Sequence, residues 1–133
     1  MIGNASDIDM VFAEGEMLKN LHHKNIVKIL NCFTLKNMRV AFVMEYLGGG
    51  ELKDYVLERG HLSEEEAKEF FRQLCDAVYY CHRDKLIHRD LKLENILLES
   101  KDSKVIKVSS SYQIAYSIGC RFWYCRNVFK PWN

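Results

Sequence analysis

The run His88-Arg89-Asp90-Leu91-Lys92-Leu93-Glu94-Asn95 places an acid, a cation and an amide within a few residues of one another. Asp90 can accept the proton of an incoming hydroxyl and orient it in line. Lys92 can hold a transferring phosphate, and Asn95 can offer its carbonyl oxygen to a magnesium ion. Together they suit transfer of a phosphoryl group to a hydroxyl, a reaction in which the protein mostly positions groups and neutralises charge. His88 and Leu91 are expected to pack inward and hold the loop in shape. A charged run behind a helix is ordinarily a solvated turn. Three distinct chemistries at fixed offsets, after Leu86-Ile87 and a long helical pattern, argue against that reading.

The elements that must position this run are legible around it. Ser63-Glu64-Glu65-Glu66 has the form of a capping box, with Ser63 as cap and Glu66 reaching back. Behind it Ala67, Phe70, Phe71, Leu74, Ala77, Val78 and Cys81 recur at helical spacing, which predicts a long amphipathic helix. After the charged run, Ile96-Leu97-Leu98 and Val105-Ile106-Lys107-Val108 read as short strands around the polar turn Glu99 to Lys104. Upstream, Asp9 to His22 reads as a helix, with Val11, Phe12, Met17, Leu18 and Leu21 as its apolar stripe. Ile26 to Leu30 and Val40 to Met44 read as strands joined through a turn at Leu35-Lys36-Asn37. Gly48-Gly49-Gly50 marks the clearest break, and Glu51 to Glu58 reads as a short helix. From Tyr112 onward aromatic residues crowd the chain without a clear period.

Composition narrows the class. The chain has 133 residues, 48% of them apolar and 28% charged, a globular balance. Nineteen basic and eighteen acidic residues leave a net charge of +1, so no global field favours nucleic acid or an anionic membrane. No apolar run reaches membrane-spanning length and no basic-then-apolar leader opens the chain. Without such a leader, Asn4-Ala5-Ser6 is discounted as a glycosylation acceptor. Five cysteines at irregular spacings argue against a disulfide framework and fit a reducing, cytoplasmic setting. Cys75 and Cys81, in an apolar helical pattern, are expected to be small buried hydrophobes.

The His-Arg-Asp-Leu-Lys-x-x-Asn run resembles the catalytic loop of the eukaryotic protein kinases, and Lys92 is similar to the serine/threonine type. The Lys92-Leu93-Glu94-Asn95 ending and the run from Met44 to Leu52 resemble the calcium/calmodulin- and AMP-activated-kinase-like group. The resemblance covers roughly residues 10 to 108. It implies an α+β, partial two-lobe fold: a helix C and a β-hairpin, a hinge, and the helical half of a large lobe. Residues 1–47 would be a partial small lobe, 48–109 the hinge and partial large lobe, and 110–133 a divergent aromatic tail.

The resemblance also implies ATP and magnesium as cofactors and ATP-dependent phosphorylation of protein serine or threonine. Asp90 would be the base, Lys92 the phosphate clamp and Asn95 a metal ligand. Arg89 would pair with a phosphorylated activation-segment residue. Glu14 matches the helix C glutamate, with Glu16 as a nearby rival; Leu18 and Ile29 would be apolar spine positions. Met44 would be the gatekeeper behind adenine, Glu45 and Leu47 would offer backbone groups to the adenine edge, Glu51 would bond the ribose, and Leu97 would floor the pocket. For Met44 and Leu97, plain core packing is the alternative reading.

Three parts of the family pattern are not found in the sequence. No glycine-rich loop and no Val-Ala-Ile-Lys strand precede Glu14, and Ser110-Ser111-Tyr112 stand where Asp-Phe-Gly belongs. Serine hydroxyls are weak partners for a hard dication. The chain is therefore expected to be incomplete at both ends and to transfer phosphate poorly or not at all. It is also expected to be marginally stable, because each large apolar side chain without a partner forgoes about 1.5–3 kcal/mol. Expected partners are a protein substrate or a regulatory protein, with no nucleic acid and no membrane. Two alternatives stand beside the kinase fragment. One is a non-catalytic, pseudokinase-like interaction module or dominant-negative product. The other is a frameshift, retained intron or truncated gene model after Val108.

Overall fold

The computed structural model describes residues 5–35, 39–109, 115–118 and 120–124. In chain order its elements are α1 (Ala5–Lys19), β1 (Ile29–Leu35), β2 (Arg39–Met44), α2 (Leu52–Arg59) and α3 (Glu64–Arg83). After these come a 3-10 turn (Leu93–Asn95), β3 (Ile96–Leu98), β4 (Ile106–Val108), β5 (Ala115–Ile118) and β6 (Cys120–Tyr124). The architecture is α+β, in two compact units. One comprises the described parts of 1–22, 28–46 and 112–133; the other comprises 23–27 and 47–111.

In the first unit α1 packs on an antiparallel sheet of order β1-β2-β6-β5. In β2 the consecutive residues Val40, Ala41 and Phe42 are all buried, so both faces of that strand are covered, whereas β1 buries only Ile29 and Cys32. The tail, which has no period in sequence, forms β5 and β6, and β6 pairs with β2 through Phe42↔Trp123. The expected helix shifts to Ala5–Lys19. Of the expected turn Leu35-Lys36-Asn37, Leu35 ends β1 and residues 36 and 37 lie outside the described residues.

The second unit is built on α3. Its capping box forms as the sequence requires: Glu66 N donates to Ser63 Oγ at 3.2 Å and Ser63 N donates to Glu66 Oε2 at 3.4 Å. Phe70 joins Leu52, Tyr55, Ile96, Leu98 and Ile106 in one core, with Leu74 packed against it. Tyr55 and Phe70 meet edge-on with centroids 5.8 Å apart. The stripe is narrower than its sequence pattern. Phe71 is 65% exposed and Cys75 is exposed, because a two-stranded β3–β4 sheet covers only part of the helix surface.

Two glycines give the chain its path before α2. A Cβ on Gly49 would lie 2.5 Å from Leu98 Cβ and 2.6 Å from Leu98 O, and Gly50 has φ +77°. That close approach lets Gly49 N donate to Leu98 O at 3.1 Å and Leu98 N to Gly50 O at 2.9 Å. Glu51 then bridges to Leu97, so residues 48–51 run antiparallel to β3.

The expected strand Ile26 to Leu30 is corrected. Ile26 makes only an isolated bridge to Val108, and β1 begins at Ile29. Asn25 diverts this segment. Buried at 1% exposure, it donates through Nδ2 to Gln73 Oε1 and to Ile106 O, both at 2.8 Å, and accepts Val108 N at 2.8 Å. Val105 lies just outside β4 and is exposed.

Candidate active site

The charged run follows α3 through a tight helix end. Lys85 N donates to His82 O at 3.0 Å and Leu86 N to Cys81 O at 2.9 Å, with Lys85 at φ +60°. This pair of bonds is a Schellman motif, and it turns the chain sharply off the helix. Arg89 is a second non-glycine residue in the left-handed region, at φ +64°, and it is exposed. A residue held there costs about 1–2 kcal/mol. The surrounding hydrogen bonds offset that cost.

Those bonds form one connected network. His88 Nε2 donates to Ser109 O at 2.6 Å, and Asp90 N donates to His88 Nδ1 at 3.3 Å. A carbonyl can only accept and a backbone N–H can only donate, so this arrangement takes the neutral imidazole with its proton on Nε2. Ser109 returns two bonds to the loop, from N to Asn95 O at 2.9 Å and from Oγ to Asn95 O at 3.1 Å. Asn95, fully buried, donates through Nδ2 to Asp90 O at 2.7 Å and to Asp90 Oδ2 at 3.0 Å. Lys92 Nζ lies 2.9 Å from the same Oδ2.

Asp90, Lys92 and Asn95 therefore converge on one carboxylate. The Lys92 hydrogen bond, followed by that from Asn95, holds the Asp90 carboxyl below the usual carboxylate range. Asp90 in turn pushes Lys92 above the usual ammonium value. Both side chains are partly open to solvent, at 45% and 43% exposure. The loop is further tied to α2, where Lys53 Nζ contacts Glu94 Oε1 at 3.1 Å. Leu91, expected to pack inward, is instead 44% exposed. The inward anchor is Asn95, whose amide satisfies the loop's own carbonyl as an apolar side chain could not.

The other expected site residues fall in both units. Met44 is buried in the first, and Glu45 N donates to Lys28 O at 3.0 Å while Glu45 Oε1 accepts Lys28 N at 2.8 Å. Leu47 and Leu97 are buried in the second unit, and Glu51 sits half-buried at the start of α2 without capping it through its side chain. Glu14 lies on α1, and its side chain is outside the described residues. Its rival Glu16 is engaged locally, accepting from Cys32 Sγ at 2.9 Å and Lys19 Nζ at 3.0 Å. Burial, then the Glu16 hydrogen bond, push the Cys32 thiol up to about 11.

Magnesium does not fit the described residues. Among them no group of three His, Cys, Asp or Glu could hold a metal ion, and Asp90 Oδ2 is already held by Lys92 and Asn95. One buried amide is a poor set for a hard dication, which takes several oxygen ligands. Among the described residues no helix is long and apolar enough to cross a membrane.

Sequence reading missed Ser109 and Lys53. Their partners lie 14 and 41 residues away in the chain, and no local pattern marks either pair.

The family model for the protein kinase domain matches residues 3–112. NUAK family SNF1-like kinase 1 from Mus musculus is 46% identical over 105 residues, covering 77% of this chain and 16% of that protein. Serine/threonine-protein kinase SIK1 from Mus musculus is 41% identical over 97 residues, covering 73% and 12%. A solved structure, Rad53 1-466 in complex with AMP-PNP, superposes with a TM-score of 0.72 at 34% identity, covering 79% of this chain and 28% of that one. The chain spans 16% or less of the length of these curated relatives.

Proposed function

The chain belongs to the protein kinase domain family, and from that membership we propose that it carries the catalytic loop of a serine/threonine kinase that takes its phosphoryl group from ATP. The observation that carries this reading is the Asp90 carboxylate, 2.9 Å from Lys92 Nζ and 3.0 Å from Asn95 Nδ2. A carboxylate held ionised is a weak base, suited to orienting a hydroxyl and taking its proton late. Lys92 stays cationic and can exchange its contact with Asp90 for a phosphate oxygen. Asn95 keeps Asp90 aimed while Lys92 is so engaged. His88 and Ser109 hold the loop backbone against β4. The serine/threonine relatives support a protein hydroxyl as acceptor, and Rad53 with AMP-PNP supports an adenine nucleotide as donor.

By itself this chain is expected to transfer phosphate slowly or not at all, because Ser110-Ser111-Tyr112 bring no carboxylate after Ser109. Incubating the chain with labelled ATP, magnesium and a generic basic protein substrate tests this. Incorporation that disappears on Asp90→Asn would overturn the inactivity and retain the assignment of Asp90. Incorporation unaffected by Asp90→Asn would remove that assignment.

A second reading, a non-catalytic interaction module, is supported by Phe71 and Tyr79, exposed at 65% and 73% on α3. Co-purification with a defined partner at fixed stoichiometry, without ATP, would favour it.

A further inference from the structure

The segment 23–27 is clasped onto α3 and β4 by polar groups, and one of them is an imidazole. Asn25 N donates to His23 Nδ1 at 3.1 Å. Asn25 then holds Gln73 of α3 and Ile106 of β4 through Nδ2, and Val108 through its carbonyl. Val27 N closes the segment onto Val108 O at 2.9 Å. We propose that His23 is a proton-operated latch, whose protonation releases segment 23–27 from α3 and β4.

The geometry gives the reason. Nδ1 can accept the Asn25 N–H only while it carries no proton. Protonated, it sets a donor against a donor at 3.1 Å, inside a segment where Asn25 is 1% exposed. Asn25 already has one buried polar atom without a partner, Oδ1. Losing the imidazole acceptor orphans a second, its N–H, and buried orphans are costly.

The groups acting on the ring come from two directions. On α3, the Tyr80 ring lies tilted by 35° against it with centroids 5.0 Å apart, Arg83 lies 5.0 Å over the Tyr80 ring, and Asp76 favours the proton. On the segment itself, Lys24 opposes the proton. β4 meets the segment through backbone groups of Ile106 and Val108. Burial is the largest influence and holds His23 below its ordinary value of 6.5.

The sign follows from this depression. The unfolded chain takes the proton first, so the latch is complete above the ordinary imidazole range and weakens as pH falls through it. The latch also reaches the candidate site. Val108, which Asn25 holds, precedes Ser109, the residue bonded to His88 and Asn95.

The test is a nuclear magnetic resonance titration of the full chain between neutral and mildly acidic pH. It follows the His23 ring, the Asn25 and Val108 amides, and their exchange protection corrected for intrinsic rates. Protection at both amides is expected to fall about fivefold, the weight of one lost hydrogen bond, with the midpoint of the His23 ring. His23→Asn, which keeps a side-chain acceptor and cannot titrate, should remove that step. Equal acid-dependent loss of protection in parent and His23→Asn would overturn the proposal. If His23→Asn fails to fold, the parent titration decides alone: amides moving away from the His23 midpoint, or a ring titrating at or above its ordinary value, reject it.

Discussion

Replacing Asn95 by aspartate keeps the side chain's shape and reverses its chemistry. In the parent, Nδ2 donates at 2.7 Å to Asp90 O and at 3.0 Å to Asp90 Oδ2. In Asn95→Asp both contacts become oxygen against oxygen, within a residue with 0% exposure. The bond to the backbone carbonyl is worth about 1 kcal/mol and the one to the carboxylate about 1.5–3 kcal/mol. Two unit charges about 3 Å apart repel by about 5 kcal/mol at an effective dielectric near 20. Asp90 is 45% exposed and Lys92 neutralises part of its charge, so most of that repulsion is screened. The summed penalty at neutral pH is about 3–5 kcal/mol, a large share of a typical net stability of about 5–15 kcal/mol.

The penalty carries a sign with pH. The new carboxyl has a native pKa raised above its unfolded value, so the variant regains stability as pH falls through that raised value. Urea denaturation followed by far-ultraviolet circular dichroism, at neutral pH and near pH 5, measures both effects. A gap between parent and variant that narrows toward pH 5 is the expected result. A gap below about 1 kcal/mol at neutral pH, or one indifferent to pH, would mean that Asn95 and Asp90 do not face each other as described.

Further expectations follow from other contacts. Ser109→Ala removes the Oγ bond to Asn95 O and leaves the backbone bond, so it should cost about 1 kcal/mol in urea titrations; no measurable loss would contradict the buried hydroxyl's role. Gly49→Ala meets Leu98 and Ser100 and should cost about 2–4 kcal/mol, whereas Gly50→Ala meets open space and only the strain of φ +77°, about 1–2 kcal/mol. A Gly50 variant less stable than the Gly49 variant reverses that order and refutes it. Ser63→Ala removes the α3 cap and should cost about 0.5–2 kcal/mol. The backbone bond from Ser63 holds Glu66 below the usual carboxylate range, so its support for α3 is present near neutral pH and fades as pH falls through that depressed value. In Glu66→Gln, which keeps a side-chain acceptor for Ser63 N and cannot titrate there, the acid limb of the stability profile should flatten; an unchanged limb would assign it elsewhere.

Much of the second unit was legible because its signals are local. The Ser63 capping box and the three-four spacing behind it define α3 almost to the residue. The glycines announce the break before α2, the apolar triplet Ile96-Leu97-Leu98 marks β3, and the alternating Ile106-Lys107-Val108 marks β4. The errors have one origin: how much of an element is covered depends on what packs against it. The spacing of Phe71 and Cys75 belongs to a buried stripe, yet both are exposed. Ile26 has strand propensity, yet its neighbour Asn25 is drawn onto β4 by partners from Gln73 to Val108. The aromatic tail carries no strand period; β6 takes its register from β2, and β5 takes its own from β6.

The order of residues from His88 to Asn95 already contains the candidate chemistry, because an acid, a cation and an amide on so short a loop cannot lie far apart. Their alignment is a property of the folded chain. Arg89 is held at a positive φ, Asn95 is turned by Asp90 and by Ser109, and Asp90 is kept ionised by Lys92. Ser109 arrives from β4 and has no reason to meet Asn95 until β3 and β4 pair. Hydrogen bonds act over about 3 Å, so contacts between residues distant in sequence exist only once packing has brought them together.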